Sequence, residues 1–339
     1  MRRKAAVAAL ALVLFAAAVI SSTGYLNLFR EVDDTTRFVP AGADAAVRVN
    51  TTAVAGDETT DCLFDRVAGV GYDEVLASVE NRTNLDPGGL REATVFFGEG
   101  TTDPSSTYAG VVFHTDWNAD DIRDVDGFDV EKRSYNAVPL YAVRSDATEA
   151  RQFYLTPVAR GVYVAGTEEA VRDASDAAFW NGDTFERRAR DELTGAPVSF
   201  VAPKASPVEA VSVVSGTYRP RTGGTSVAVE LRPSEDATVP DVHREAETHL
   251  RVGKTLAGDR LADVLSRVEL SETDKAVVVS HDASVERTAG AFRTLDRRFG
   301  WSDRFEARLE TYGVSEVLGL RFSDTDRTNR SSQKNAGDE

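Results

Sequence analysis

Polar and apolar positions alternate with a period of two through many short stretches of this chain, the signature of half-buried strands. Residues 44–50, 94–97, 108–114, 130–135, 139–143, 152–156, 161–165, 198–202, 208–218, 225–232 and 275–281 carry it. Turn residues separate several of them: Pro87-Gly88-Gly89, Asn136-Ala137 and Arg221-Thr222-Gly223-Gly224. The period lengthens to 3.6 over 61–68, 73–80, 241–257 and 259–268, and after Asn118 and Thr167, which are placed to cap helices. It is clearest over 284–299, where Val285, Ala289, Phe292, Leu295 and Phe299 form one stripe. Residues 51–60 read as a polar loop. Strands mostly follow strands across short turns, without the strand–helix alternation of a parallel sheet. The expected fold is therefore α+β, with largely antiparallel sheets and packed helices.

The pattern also divides the chain. Residues 38–195 and 196–322 form two α+β domains or halves, and 323–339 lack any large apolar residue and read as a disordered tail. Val111-Val112-Phe113-His114 and Val278-Val279-Ser280-His281 both precede helical stretches, 167 residues apart. That offset suggests a weak internal duplication and lays strand 44–50 on 211–217.

Residues 1–30 follow a different rule. Arg2, Arg3 and Lys4 precede an uncharged stretch, 5–29, whose first part to Ile20 is wholly apolar. A helix of about 20 residues crosses the hydrocarbon core of a bilayer. The basic flank before it, and Glu31, Asp33 and Asp34 after it, place the N-terminus inside and the body outside. The alternative is a signal segment cleaved after Ser22-Thr23-Gly24, giving a secreted chain. Either way the body is exported. Three N-x-[ST] sequons, at Asn50, Asn81 and Asn329, are candidate glycosylation sites in such a protein.

Composition narrows the setting. The 39 basic and 55 acidic residues leave a formal charge of 39 − 55 = −16, which excludes the electrostatic footprint of a nucleic-acid binder. Only six of the basic residues are lysine, and the acids are spread along the chain. At molar salt the Debye length is about 3 Å, so a surplus of this kind is screened. The composition is that expected of a salt-accumulating halophile, most simply a halophilic archaeon. A single cysteine, Cys62, excludes a disulfide framework and cysteine-rich metal sites.

Candidate chemistry is sparse. His114 with Asp116, and His281 with Asp282, lie at strand ends, where a carboxylate could orient an imidazole as base or metal ligand. His243, Glu245, Glu247 and His249 form i,i+4 pairs on a helix, but the histidines are six apart, which reads as a salt-laced surface and not a zinc site. Gly253-Lys254-Thr255 lacks the earlier glycine of a P-loop and falls within a helix. The acidic run 120–131 lacks both end ligands of a calcium loop. No catalytic, metal or cofactor set is complete, and no cofactor is expected.

Three stretches resemble an uncharacterised family of membrane-anchored, exported prokaryotic proteins, a domain of unknown function. They are Phe38-Val39-Pro40 through Val49, the strand pair around Tyr135-Asn136-Ala137-Val138-Pro139-Leu140-Tyr141, and Val162 through Ala174. Gly42 departs from the family's small-residue-then-Asp spacing at the opening. The resemblance implies an N-terminal anchor and an exported α+β body, and it carries over no functional residue. The expected protein is thus a non-enzymatic binding or structural module held in the bilayer by residues 5–29. The alternatives are an exported hydrolase assembled around His114 or His281, and a sensor or assembly factor acting through the membrane helix. The charge makes its own prediction. Thermal unfolding of the exported body should shift to lower temperature as salt falls from molar to millimolar, and an unchanged midpoint would return the acids to the list of functional clues.

Overall fold

The computed structural model describes residues 34–68, 86–99, 107–117, 128–145, 153–179, 195–203, 210–256 and 265–290, with residues 77, 80, 185 and 193 between them. The apolar N-terminal segment, the tail 323–339, Asn81, Asn329, the helix expected after Asn118 and stretch 302–322 lie outside these residues. Among the described residues no helix is long and apolar enough to cross a membrane.

The described chain is sheet-rich, with few helices. Twelve strands join in one antiparallel sheet. They are β1 Ala45–Asn50, β2 Leu90–Glu99, β3 Thr107–Thr115, β4 Phe128–Tyr135, β5 Val138–Ser145, β6 Phe153–Ala159, β7 Val162–Gly166, β8 Val198–Ala202, β9 Val211–Arg221, β10 Gly224–Pro233, β11 Glu269–Glu272 and β12 Val277–Ala283. The helices are α1 Thr51–Val54, α2 Glu58–Ala68, α3 Glu168–Phe179 and α4 Val239–Leu256, and a 3-10 turn, Thr35–Phe38, leads into the sheet.

Strand order is β11-β12-β10-β9-β8-β1-β2-β3-β7-β6-β5-β4. β1 and β8 pair antiparallel at the centre, so residues 45–166 and 198–283 supply the two arms of one continuous sheet. Outward from the centre, β1-β2-β3-β7-β6 matches β8-β9-β10-β12-β11 strand for strand, and β4-β5 extends only the first arm. The 167-residue offset does not follow this order. It lays β1 on β9 and β3 on β12, whereas topology matches β1 to β8 and β12 to β7.

Period-two alternation assigns the faces. On the first, α3 covers β6, β7 and β3 with Ala170, Val171 and Ala174, over a core that includes Phe96, Val112 and Val164. On the second, Val242 of α4 meets Val211 and Val277, packed around by Leu231 and Leu270. A bulge at Arg232/Pro233 turns Val211 onto that second face. In the first arm the second face is buried too, with Phe113 stacked on Tyr163 at 5.6 Å between ring centroids.

Turn chemistry follows local rules. Asn136 and Ala137 both have positive φ, 48° and 65°, the geometry of a two-residue hairpin whose twist matches the strands. Gly161 has φ 68°, and a Cβ there would lie 2.8 Å from the Thr115 carbonyl oxygen, so only glycine fits the β6–β7 turn. Gly42, the departure from the family spacing, sits where a Cβ would press on the Tyr108 ring at 3.0 Å.

One expectation is corrected. The polar loop at 51–60 is partly helical, because the side chain of Asn50 accepts from the Ala53 amide and starts α1. The edge strand β11 follows directly on stretch 259–268 and carries no strand signal of its own, since Glu269, Ser271 and Glu272 leave it no apolar alternation. Charge on an exposed edge strand also discourages pairing with another chain.

Candidate functional site

The least ordinary chemistry in the sheet lies at its centre. Arg48 of β1 faces Thr94 of β2 on one side and Ser199 of β8 on the other. One rung on, Glu92 of β2 lies between Asn50 of β1 and His114 of β3. Period two puts all these side chains on the first face, the one α3 covers. Glu92 is only 5% exposed, and Thr35 and Thr94 are fully buried.

This buried acid is fully engaged. One carboxylate oxygen, Oε1, accepts from the Thr35 amide at 3.1 Å and from the Thr35 hydroxyl. The other, Oε2, accepts from Nη2 of Arg48 in an ion pair. With its proton given to Glu92, the Thr35 hydroxyl accepts from that of Thr94 at 2.7 Å. Arg48 Nη1 reaches the Ala196 carbonyl, just before β8, at 3.5 Å. One carboxylate thus ties together the chain entering the sheet, both central strands of the first arm and the start of the second arm. Three donors converge on this one carboxylate, so the arrangement works as a clasp between the segments that supply them. Ser199, fully buried beside Arg48, has a hydroxyl without a hydrogen-bond partner.

The histidine pairs are not brought together. His114 is half-buried beside Glu92, and no hydrogen bond joins it to Glu92 or Asp116 among the described residues. Asp116 instead accepts from Arg91 Nε at 2.7 Å in an exposed pair. His281 lies on the second face of β12, opposite Val227, with both ring nitrogens buried and without hydrogen-bond partners. Burial holds its imidazole below the ordinary histidine range; Arg267 adds to this and Asp282 opposes it. Asp282 points to the first face and bonds Arg221 at 3.0 Å. Six inter-strand steps separate β3 from β12, about 29 Å at normal spacing, so the two histidines cannot share a substrate atom. Among the described residues no three metal-ligating side chains gather.

Acids also dock helix α3. Tyr108 donates to Asp173 at 3.0 Å, and Tyr135 donates to Asp176 at 2.8 Å. Arg172 lies over the Tyr135 ring, 5.0 Å from its centroid. Burial raises the Asp173 carboxyl above the ordinary range, with Glu169 and Asp176 adding to the shift. Burial likewise pushes the Tyr108 phenol far above its usual range, with Asp173 adding. On α4 the i,i+4 pair Glu245–His249 forms at 3.7 Å, whereas His243 turns to Glu272 of β11 and not to Glu247. Lys254 and Thr255 fall within α4, as the rejection of a P-loop requires. Of the sequons, Asn50 is described; its Oδ1 accepts from the Thr52 hydroxyl and the Ala53 amide, each at 3.0 Å.

Alternation alone would have flagged Arg48, a charge flanked by Val47 and Val49, only as a solvent-facing position. Glu92 fell outside the expected strand 94–97, which begins four residues earlier, at Leu90. The missed signal was that Glu92 continues the Thr94 and Phe96 side of its strand.

Among the described residues the architecture is a twelve-stranded antiparallel sheet with few helices, clasped at its centre by a buried ion pair. No family model matches the chain, and no curated protein matches it. Among solved structures, crystal form III of TP0453 aligns at a TM-score of 0.46 with 12% identity, covering 78% of this chain and all of that one. Crystal form IV aligns at 0.44 with 14% identity, covering 79% and 98%. Likeness at this level transfers neither a ligand nor a role.

The clasp makes a quantitative prediction. Glu92→Gln keeps an acceptor for Thr35 but strands the Arg48 charge, and should destabilise the body by about 3 kcal/mol in denaturant unfolding. Arg48→Met should cost a similar amount. The double variant should cost clearly less than the sum, and strict additivity would show the two side chains to be independent.

Proposed function

We propose that this chain is an exported, membrane-anchored protein of the cell envelope, acting as a non-enzymatic binding or structural module. The observation that carries the reading is how the chain enters the body. The apolar segment ends at Phe29, and by Thr35 the backbone is already fastened to the central strands through Glu92. Force on an anchor would pass straight into the middle of the sheet without first unravelling a loose lead. The wholly apolar run 5–20 and the uncharged residues up to Phe29, behind three basic residues, support a span with the N-terminus inside. The dispersed acids support a body facing concentrated salt, and the resemblance to membrane-anchored exported proteins points the same way.

The separated histidines favour the binding or structural reading over a hydrolase. Each aspartate placed to orient an imidazole is engaged by an arginine instead, and a buried imidazole without an orienting partner lacks the second half of a general-base pair. Fractionation of cells expressing the full chain should place it in the membrane pellet with its Met1 region intact. A soluble product whose sequence starts near Tyr25 would replace the anchor with a cleaved signal.

A further inference from the structure

The two strands that bound the sheet are unlike. β11 has four residues, and its charges, Glu269 and Glu272, are both acidic, so it is short and repels a copy of itself. β4 has eight residues, and Val130, Glu131, Lys132 and Ser134 on it are exposed. The turn sets its hydrogen-bonding phase. A two-residue hairpin at Asn136-Ala137 closes on a hydrogen-bonded Tyr135–Val138 pair, and such pairs recur at every second residue, so Arg133 and Glu131 also bond β5. The backbone N–H and C=O groups of Val130 and Ser134 therefore point away from β5, and none of the described residues meets them.

An open edge of this length is a template for another strand, and its charges select which one. Glu131 and Arg133 lie on the first face and pair with each other along the strand at 2.8 Å. Let a second β4 run antiparallel with Lys132 opposite its own copy. Val130 and Ser134 then fall opposite each other as hydrogen-bonded pairs. Glu131 faces Arg133 of the second copy, and Arg133 faces Glu131, in the positions where Cα atoms approach to about 4.5 Å. The cost is one like-charge contact, Lys132 with its copy, on the second face and at the wider spacing of about 5.5 Å, where the lysine stems also cover Val130. Asp129 falls opposite Tyr135. Centring the pairing on Glu131 instead puts Arg133 opposite Asp129 but sets Glu131 against Glu131 at the closer spacing. Molar salt screens the net acidity of the two bodies.

We propose that β4 is a self-association edge, through which two copies of this chain join antiparallel about a two-fold axis at Lys132 into one continuous sheet. At the ordinary twist of about 20° per strand, the six steps from β1 to β4 turn the strand direction by roughly 120°. The entry ends of both copies, at β1 and β2, then project to the same side along the two-fold axis, so both can be anchored in one bilayer. The pairing itself does not rest on the anchor, and its failure would leave that reading untouched.

The test uses the full chain in mild detergent at molar salt. Sedimentation velocity should show a monomer–dimer equilibrium that depends on concentration. Glu131→Arg and Arg133→Glu should each weaken it about tenfold, and the two together should restore it. Ser134→Pro removes an outward N–H, leaves the β4–β5 ladder intact and should abolish the dimer. In a Cys62→Ser background, Lys132→Cys should oxidise to a covalent dimer, whereas Ser271→Cys on β11 should not. A chain that stays monomeric throughout the micromolar range overturns the proposal. So does a dimer that survives Ser134→Pro, or one that Lys132→Cys fails to cross-link. A double reversal as weak as either single one overturns the pairing of Glu131 with Arg133. If Ser134→Pro fails to fold, the cross-link at 132 decides.

Discussion

A carboxylate taken out of water must be met by donors, and in this protein meeting that requirement organises the centre of the fold. Glu92 is buried against the sheet and satisfied by Arg48 and by the backbone and hydroxyl of Thr35. Removing one partner from such a set leaves an uncompensated charge, so the members stand or fall together. Because those members come from the entering chain and from β1 and β2, with Arg48 reaching on to the segment before β8, satisfying one side chain also fixes where the chain enters and how the arms meet. An apolar cluster of the same volume would supply burial without that geometric specificity.

The remaining packing extends outward from this centre. One arm is covered on its first face by α3, the other on its second face by α4, so the covering helix changes sides across the β1–β8 seam. Part of the acid surplus belongs to this packing and not to solvent. Asp173 and Asp176 accept from tyrosines that hold α3 on the sheet, and Glu272 holds His243 of α4. Burial raises the Asp173 carboxyl and the Tyr108 phenol above their ordinary titration ranges, and the two are hydrogen-bonded to each other. The charge that suggests a salt-rich exterior thus also contains the fasteners of both helices.

Much of the fold was legible in the chain. All eleven expected strands, the Asn136-Ala137 hairpin and the helices after Thr167 and around His243 follow from period, turn residues and spacing, because each depends on neighbours in sequence. The order of strands does not. Whether β1 lies beside β8 or β9 depends on pairing across 150 residues, which no local pattern encodes, and the histidine offset accordingly misled. The clasp was illegible for a related reason. An arginine between two valines looks like a residue facing water until the entering segment, fixed by Thr35, is laid across that face.

The central claim is that Glu92 holds the entering chain to the middle of the sheet, and its most direct measure is native-state hydrogen exchange at the Thr35 amide. That amide donates to the buried carboxylate and should exchange only with opening of the central strands, at a rate close to that of the amides pairing β1 with β2. Glu92→Leu should release it by orders of magnitude while the β9–β10 amides stay protected. Exchange at the rate of an unprotected loop in the unaltered protein would contradict the clasp.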